Sequence, residues 1–178
     1  LRDVYKRQVK GYKLKLLMPA SASEERKRIM RAYGAEIVLT PGNLGTDGAI
    51  EEAYRLAREE PERYVLMDQF NNPASIEAHY AATAVEIFED SGGGVSHVVA
   101  ALGTSGTAMG LVKKLKELNQ SIAVLAVEPR PGHKIQGLKN MQESYPPGIF
   151  DKHALDAIVP VEDEEAFAMA RRLAREEG

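Results

Sequence analysis

The sequence has no cysteine. That excludes a thiol nucleophile, disulfides and thiolate metal sites, and it fits a reducing, cytoplasmic setting. It also lacks an excess of positive charge. Against 26 Asp and Glu stand 23 Lys and Arg, a formal net charge of −3, with a pI of about 5.9. No nucleic acid and no anionic membrane surface is therefore expected as a partner. There is no apolar run long enough to span a membrane and no signal peptide, so no membrane association is expected and the cytoplasm is the expected location. The four histidines (His79, His97, His133 and His153) lie far apart without metal-ligand spacing, and each reads as a surface or packing residue. No metal is expected. Internal repeats and low-complexity tracts are likewise missing.

What is present suffices for one sizeable core or two small ones: 178 residues with 44% hydrophobic content. Strand and helix patterns alternate along the chain. Tyr12–Met18 reads as a strand, and Ser21 to Glu24 as a capping box opening a helix that stops at Gly34. Glu36–Thr40 is the next strand. Asp47 is expected to cap a helix with Ile50, Ala53, Tyr54 and Ala57 on one face, and Tyr64–Met67 to form a short strand. Asn72 and Pro73 read as N-cap and first residue of a long helix to Asp90, buried along its small residues Ala78, Ala81, Ala82 and Val85. Val95–Leu102, Ile122–Val127 and Ala157–Val161 are further strands, with helices to Leu118 and from Glu162 onward. The near-continuous apolar character of Ile122–Val127 is that of a strand covered on both faces. Alternation of this kind implies an α/β fold with a parallel, doubly wound sheet. A weak composition break near residue 68 suggests two lobes.

The stretch of most chemical interest is Gly103-Thr104-Ser105-Gly106-Thr107, set between an apolar strand and a helix. N–H groups at a helix start lack intrahelical acceptors, and the helix dipole adds positive potential there. Glycines let the backbone approach a ligand, and the three hydroxyls add donors. No Lys-Ser or Lys-Thr follows Gly106, and the glycine spacing (103, 106, 110) is not G-x-G-x-x-G, so nucleotide readings give way to a smaller phosphorylated cofactor. A tight strand-to-helix turn without a ligand fits the pentapeptide equally well. Ligands of parallel sheets gather at strand carboxyl ends, where the loop after Met67 also lies.

In order along the chain come Leu17–Arg26 (LMPASASEER), Arg31–Glu36 (RAYGAE), Gln69–Pro73 (QFNNP), the glycine loop, Ala126–Pro129 (AVEP), His133–Gly137 (HKIQG) and an acidic terminal helix. This ordered set resembles the cysteine synthase (O-acetylserine sulfhydrylase) family, B-type-like, among the fold-type II, tryptophan synthase β-like pyridoxal-phosphate enzymes, over residues 10–178. The short connection Glu128–His133 and the Leu138–Met141 segment lean toward the B-type members or toward cystathionine β-synthase and O-phosphoserine sulfhydrylase.

The resemblance implies that Gly103, Thr104, Ser105, Gly106 and Thr107 hold the phosphate of pyridoxal 5′-phosphate. It implies that Gln69 helps bind the carboxylate of an amino-acid substrate, with a loop-capping amide as the alternative reading of that residue. It makes Gly137 part of the substrate mouth, with Ile135 and Gln136 as weaker candidates. It implies sulfide as the second substrate, with O-acetylserine converted to cysteine and acetate by β-elimination and β-replacement, and a homodimeric parent.

The resemblance further implies an internal fragment: residues 1–8 as a non-native scrap, 9–68 as the remainder of a small mobile lobe, and 69–178 as part of a large cofactor-binding lobe. It places the Schiff-base lysine upstream, so no catalytic residue is assigned and the chain alone is expected to be inactive. Cystathionine β-synthase and O-phosphoserine sulfhydrylase are the alternatives within the class. A non-catalytic phosphate-binding α/β module is the alternative outside it.

Overall fold

The computed structural model describes residues 6–7, 9–135, 137–142 and 145–178. The octapeptide expectation falls largely outside these residues, as does Gln136. The chain divides into two compact units, Leu1–Leu66 and Met67–Gly178.

The first unit is built on two parallel strands, β1 (Lys15–Pro19) and β2 (Glu36–Thr40), paired from Lys15 with Glu36 to Pro19 with Thr40. Helix α1 (Glu24–Ala32) makes the crossover, and α2 (Gly45–Glu59) packs on both strands. Gly34, in the left-handed region at φ 79°, lets the chain turn from α1 into β2.

Two expectations about caps are corrected. Ser23, not Ser21, is the N-cap of α1, and its side chain makes no capping bond. The Ser21 hydroxyl instead donates to the Gly42 carbonyl at 3.3 Å. Asp47 does not cap α2 either. A single 3₁₀ turn, Gly42–Leu44, runs into the helix and leaves Asp47 inside its first turn, where its charge still favours the positive dipole end. Lys27 is the one buried cation of α1, and it donates to the Ala20 carbonyl and the Glu24 carboxylate, both at 2.7 Å. Tyr64–Met67 is not a strand. Its apolar residues have β propensity, but a strand needs a ladder partner and none pairs with it among the described residues.

The second unit carries a three-stranded parallel sheet in the order β3 (His97–Ala101), β4 (Ala123–Pro129), β5 (Ala157–Val161). Helix α5 (Gly106–Leu118) connects β3 to β4 and contributes Leu111, Val112 and Leu115 to the core. Leu102, Leu115, Ile122, Val124 and Ala126 are fully buried there. Only one face of the sheet is closed in this way, since Val99 on the other is 63% exposed. The two-sided covering expected of the apolar β4 sequence is not seen among the described residues.

The long helix after Pro73 is interrupted. It runs as α3 (Ala74–Ala78), a π-helical segment His79–Thr83, and α4 (Ala84–Asp90). Asn72 does the work of its N-terminus, accepting the Ala74 N–H at 3.0 Å. Its packed side is Ile76, Ala84, Ile87 and Phe88, not the predicted alanine stripe: Ala78, Ala81 and Ala82 are exposed. The larger side chains bury more apolar area per residue and so decide which face turns inward. The last helix, α6 (Asp163–Glu176), opens with a capping box between Glu162 and Glu165.

Candidate functional site

The glycine loop lies at the carboxyl end of β3, between Leu102 and the first turn of α5. Its backbone is unusual at one place. Ser105, the N-cap of α5, sits in the left-handed region at φ 65°, ψ −11°, where an L-residue is strained. Its side chain is buried, and its hydroxyl oxygen has no hydrogen-bond partner among the described residues. A buried hydroxyl left unsatisfied is costly, so an orphan at a helix N-terminus marks a place for an acceptor supplied from outside. The first turn of α5 has no acidic residue, whereas α6 opens with three. The anion that would otherwise meet this dipole end is absent from the sequence.

The glycines have separate reasons. A side chain at Gly106 would come within 2.5 Å of the Ser75 hydroxyl, and one at Gly110 within 2.6 Å of the His79 Cβ and 2.7 Å of the Ile76 carbonyl. These two let α5 lie against the Asn72–Thr83 region. Gly103 faces the other way: a Cβ there would stand 2.9 Å from the Gly137 carbonyl oxygen. Gly137 is therefore seated directly on the loop, and it is at φ 94°. Ile135 is half-buried, its N–H donating to His133 Nδ1 at 3.2 Å.

Thr104 is half-buried in the loop, and Thr107 is exposed. The Thr107 hydroxyl is hydrogen-bonded to His79 Nε2 at 3.0 Å, and His79 Nδ1 to the Thr83 hydroxyl at 2.9 Å. His79 thus orients a loop hydroxyl from behind, a role that sequence reasoning missed when it took the histidine for a packing residue. The readable signal was the His79–Thr83 spacing of four, which puts both on one helical face. The contact with Thr107 is tertiary, and it comes from the π-helical segment. Such segments occur often at functional sites.

Gln69 is exposed on the turn that follows Asp68, a residue at φ 44°. Asn71 and Asn72 do the capping here. Both backbone N–H groups donate to the Asp68 carbonyl, at 3.0 and 2.8 Å, and the Asn72 amide donates to the Met67 carbonyl at 3.0 Å. The turn is held by these neighbours, and Gln69 caps nothing among the described residues.

The fit to a phosphate monoester is good. A buried hydroxyl without a partner among the described residues and the free N–H groups of a helix start supply neutral donors in one place. Pyridoxal 5′-phosphate meets these requirements through its phosphate alone.

Comparison with known proteins gives the family. The family model described as pyridoxal-phosphate dependent enzyme matches residues 8–178. A cysteine synthase of Aquifex aeolicus is 46% identical over 168 residues, which are 94% of this chain and 51% of that protein. Cysteine synthase B of Pseudomonas aeruginosa is 41% identical over 170 residues, 96% of this chain and 56% of that one. The crystal structure of cysteine synthase from Entamoeba histolytica superposes with a TM-score of 0.90 at 39% identity, covering 98% of this chain and 54% of that chain. The chain spans about half the length of the relatives it matches.

Proposed function

The chain belongs to the pyridoxal-phosphate dependent enzymes, and from that membership we propose that it is the phosphate-holding and part of the substrate-holding region of a cysteine synthase. The reaction is the conversion of O-acetylserine and sulfide to cysteine and acetate. The observation that carries the reading is Ser105: a strained, buried serine whose hydroxyl has no partner among the described residues, at the start of a helix without first-turn acid.

In this reading the Gly103–Thr107 backbone N–H groups and the Ser105 and Thr104 hydroxyls bind the cofactor phosphate, while His79 fixes the Thr107 hydroxyl for the same task. Bound pyridoxal 5′-phosphate supplies an electron sink for the substrate's α-carbon. Gln69 donates its amide to the substrate carboxylate, orienting it without adding charge. The Gly137 backbone bounds the substrate mouth and limits water there. In this reading residues 69–178 are part of the cofactor lobe and residues 9–68 the remainder of the small lobe. Among the described residues no helix is long and apolar enough to cross a membrane. We place the parent in the cytoplasm as a homodimer.

The test is to titrate the full-length protein carrying this sequence with pyridoxal 5′-phosphate, then supply sulfide with O-acetylserine, O-phosphoserine or serine. Cofactor binding with cysteine formed fastest from O-acetylserine is the expected result. Faster turnover of O-phosphoserine reassigns the leaving group. Absence of cofactor binding overturns the reading. The 178-residue polypeptide alone, without the lysine that the resemblance puts upstream, is expected to make no cysteine above a protein-free control, and turnover by it overturns that expectation.

A further inference from the structure

Residues 137–142 follow the loop segment without regular secondary structure, yet they are tied down at nearly every step. The Lys139 N–H donates to the Leu102 carbonyl at 2.9 Å, at the end of β3. The Met141 N–H donates to the Glu128 carboxylate at 3.1 Å, at the end of β4. Asn140 is only 2% exposed. Its amide donates to the Pro129 carbonyl at 2.8 Å and accepts the Gln142 N–H at 2.9 Å. These bonds make the segment a strap across the carboxyl ends of two adjacent parallel strands. At its near end the Gly137 carbonyl lies against Gly103, in a space that no side chain at 103 could share.

We infer that Asn140 and Glu128 are positioning residues: by latching the strap they hold the Gly137 carbonyl on Gly103, so that the phosphate cup and the substrate mouth form one mechanical piece. The inference rests on the cofactor reading above and deepens it. An irregular segment ordinarily opens on its own, with little effect elsewhere. Here its opening removes the wall against which Gly103 is set, and Gly103 is the first residue of the cup. Coupling of this kind is reciprocal: if the latched strap favours an anion in the cup, an anion in the cup favours the latched strap.

The reciprocity gives a test that does not depend on turnover. Amide hydrogen exchange is measured on the full-length protein, free of cofactor, with and without saturating inorganic phosphate. Exchange at Lys139, Met141 and Gln142 is expected to slow about fivefold or more, the lower end of ordinary coupling between sites. Asn140→Ala is expected to weaken phosphate binding by a like factor, and so is Glu128→Ala. Glu128→Gln, whose side-chain carbonyl still accepts from Met141, is expected to restore it, which a general loss of stability would not allow. The inference is overturned if phosphate binds and the strap amides exchange as before, or if either alanine variant frees those amides without changing phosphate affinity. If Asn140→Ala does not fold, the Glu128 pair and the unaltered protein decide. A protein that binds no phosphate at all removes the cofactor reading and this inference together, and it is recognised without any variant.

Discussion

At the scale of single residues, Ser105 sets two requirements against each other. The left-handed backbone costs an L-residue about 1–2 kcal/mol, and glycine would avoid that cost. A serine kept there contributes something glycine lacks, and its buried, unpartnered hydroxyl names it. Ser105→Gly is therefore expected to raise the thermal stability of the cofactor-free protein by about 1 kcal/mol. The same change is expected to weaken phosphate binding roughly tenfold, the worth of a hydrogen bond to a charged group. Thermal unfolding and a phosphate titration read the two effects. A lower melting temperature with unchanged affinity would show that the hydroxyl serves the fold and not a ligand. The sequence offered the pentapeptide either as an anion cup or as a tight turn without a ligand, and its small residues and hydroxyls do not decide between them. The φ of Ser105 was not legible, since nothing in the residue type asks for it.

Among elements, the segment from Ala74 to Asp90 shows where pattern reading stopped. Its existence follows from local capping chemistry at Asn72, while its first residue is Ala74 with Pro73 as N-cap, one residue later than expected. The packed face followed the bulky residues Ile76, Ile87 and Phe88, and the π-helical segment in the middle places His79 behind Thr107. Gly110 is the counterpart on α5, lying against this segment at a distance that leaves no room for a methyl group. An exposed helical glycine usually gains about 1 kcal/mol on replacement by alanine. Gly110→Ala is expected to do the reverse and destabilise by about 1–3 kcal/mol, as overpacking does. Urea unfolding measures it, and a stabilising substitution would refute the close packing of the two elements. The strand expected at Tyr64–Met67 but not formed and the misplaced caps at Ser21 and Asp47 have one cause: each depends on a partner that local sequence does not contain.

For the molecule as a whole, the second unit holds its sheet partly through a charge. The Asp156 carboxylate accepts from the Lys116 ammonium at 2.8 Å and from the Val124 N–H at 2.6 Å, joining α5 and β4 to the start of β5. The Lys116 hydrogen bond first, and the Val124 N–H next, hold its pKa below the usual aspartate range. A carboxyl so lowered contributes stability that is complete above the unfolded-state value, about pH 4, and is lost as pH falls through the folded-state one. Unfolding free energy is expected to decline on acidification below about pH 4, and Asp156→Asn is expected to flatten that decline. Urea titrations at stepped pH decide it, and an equally steep decline in the variant would place the acid sensitivity elsewhere. Alternation of apolar runs with capped helices was enough to specify parallel α/β units, because backbone hydrogen bonding and burial periodicity are local rules. The five adjacent residues of the glycine loop carry the chemistry from which an anion site is proposed. Contacts between residues far apart in the chain fell to the folded structure: His79 on Thr107, Gly137 on Gly103, Asn140 on Pro129. Each depends on how closely two elements pack, and packing distance is set by the whole set of facing side chains rather than by either segment alone.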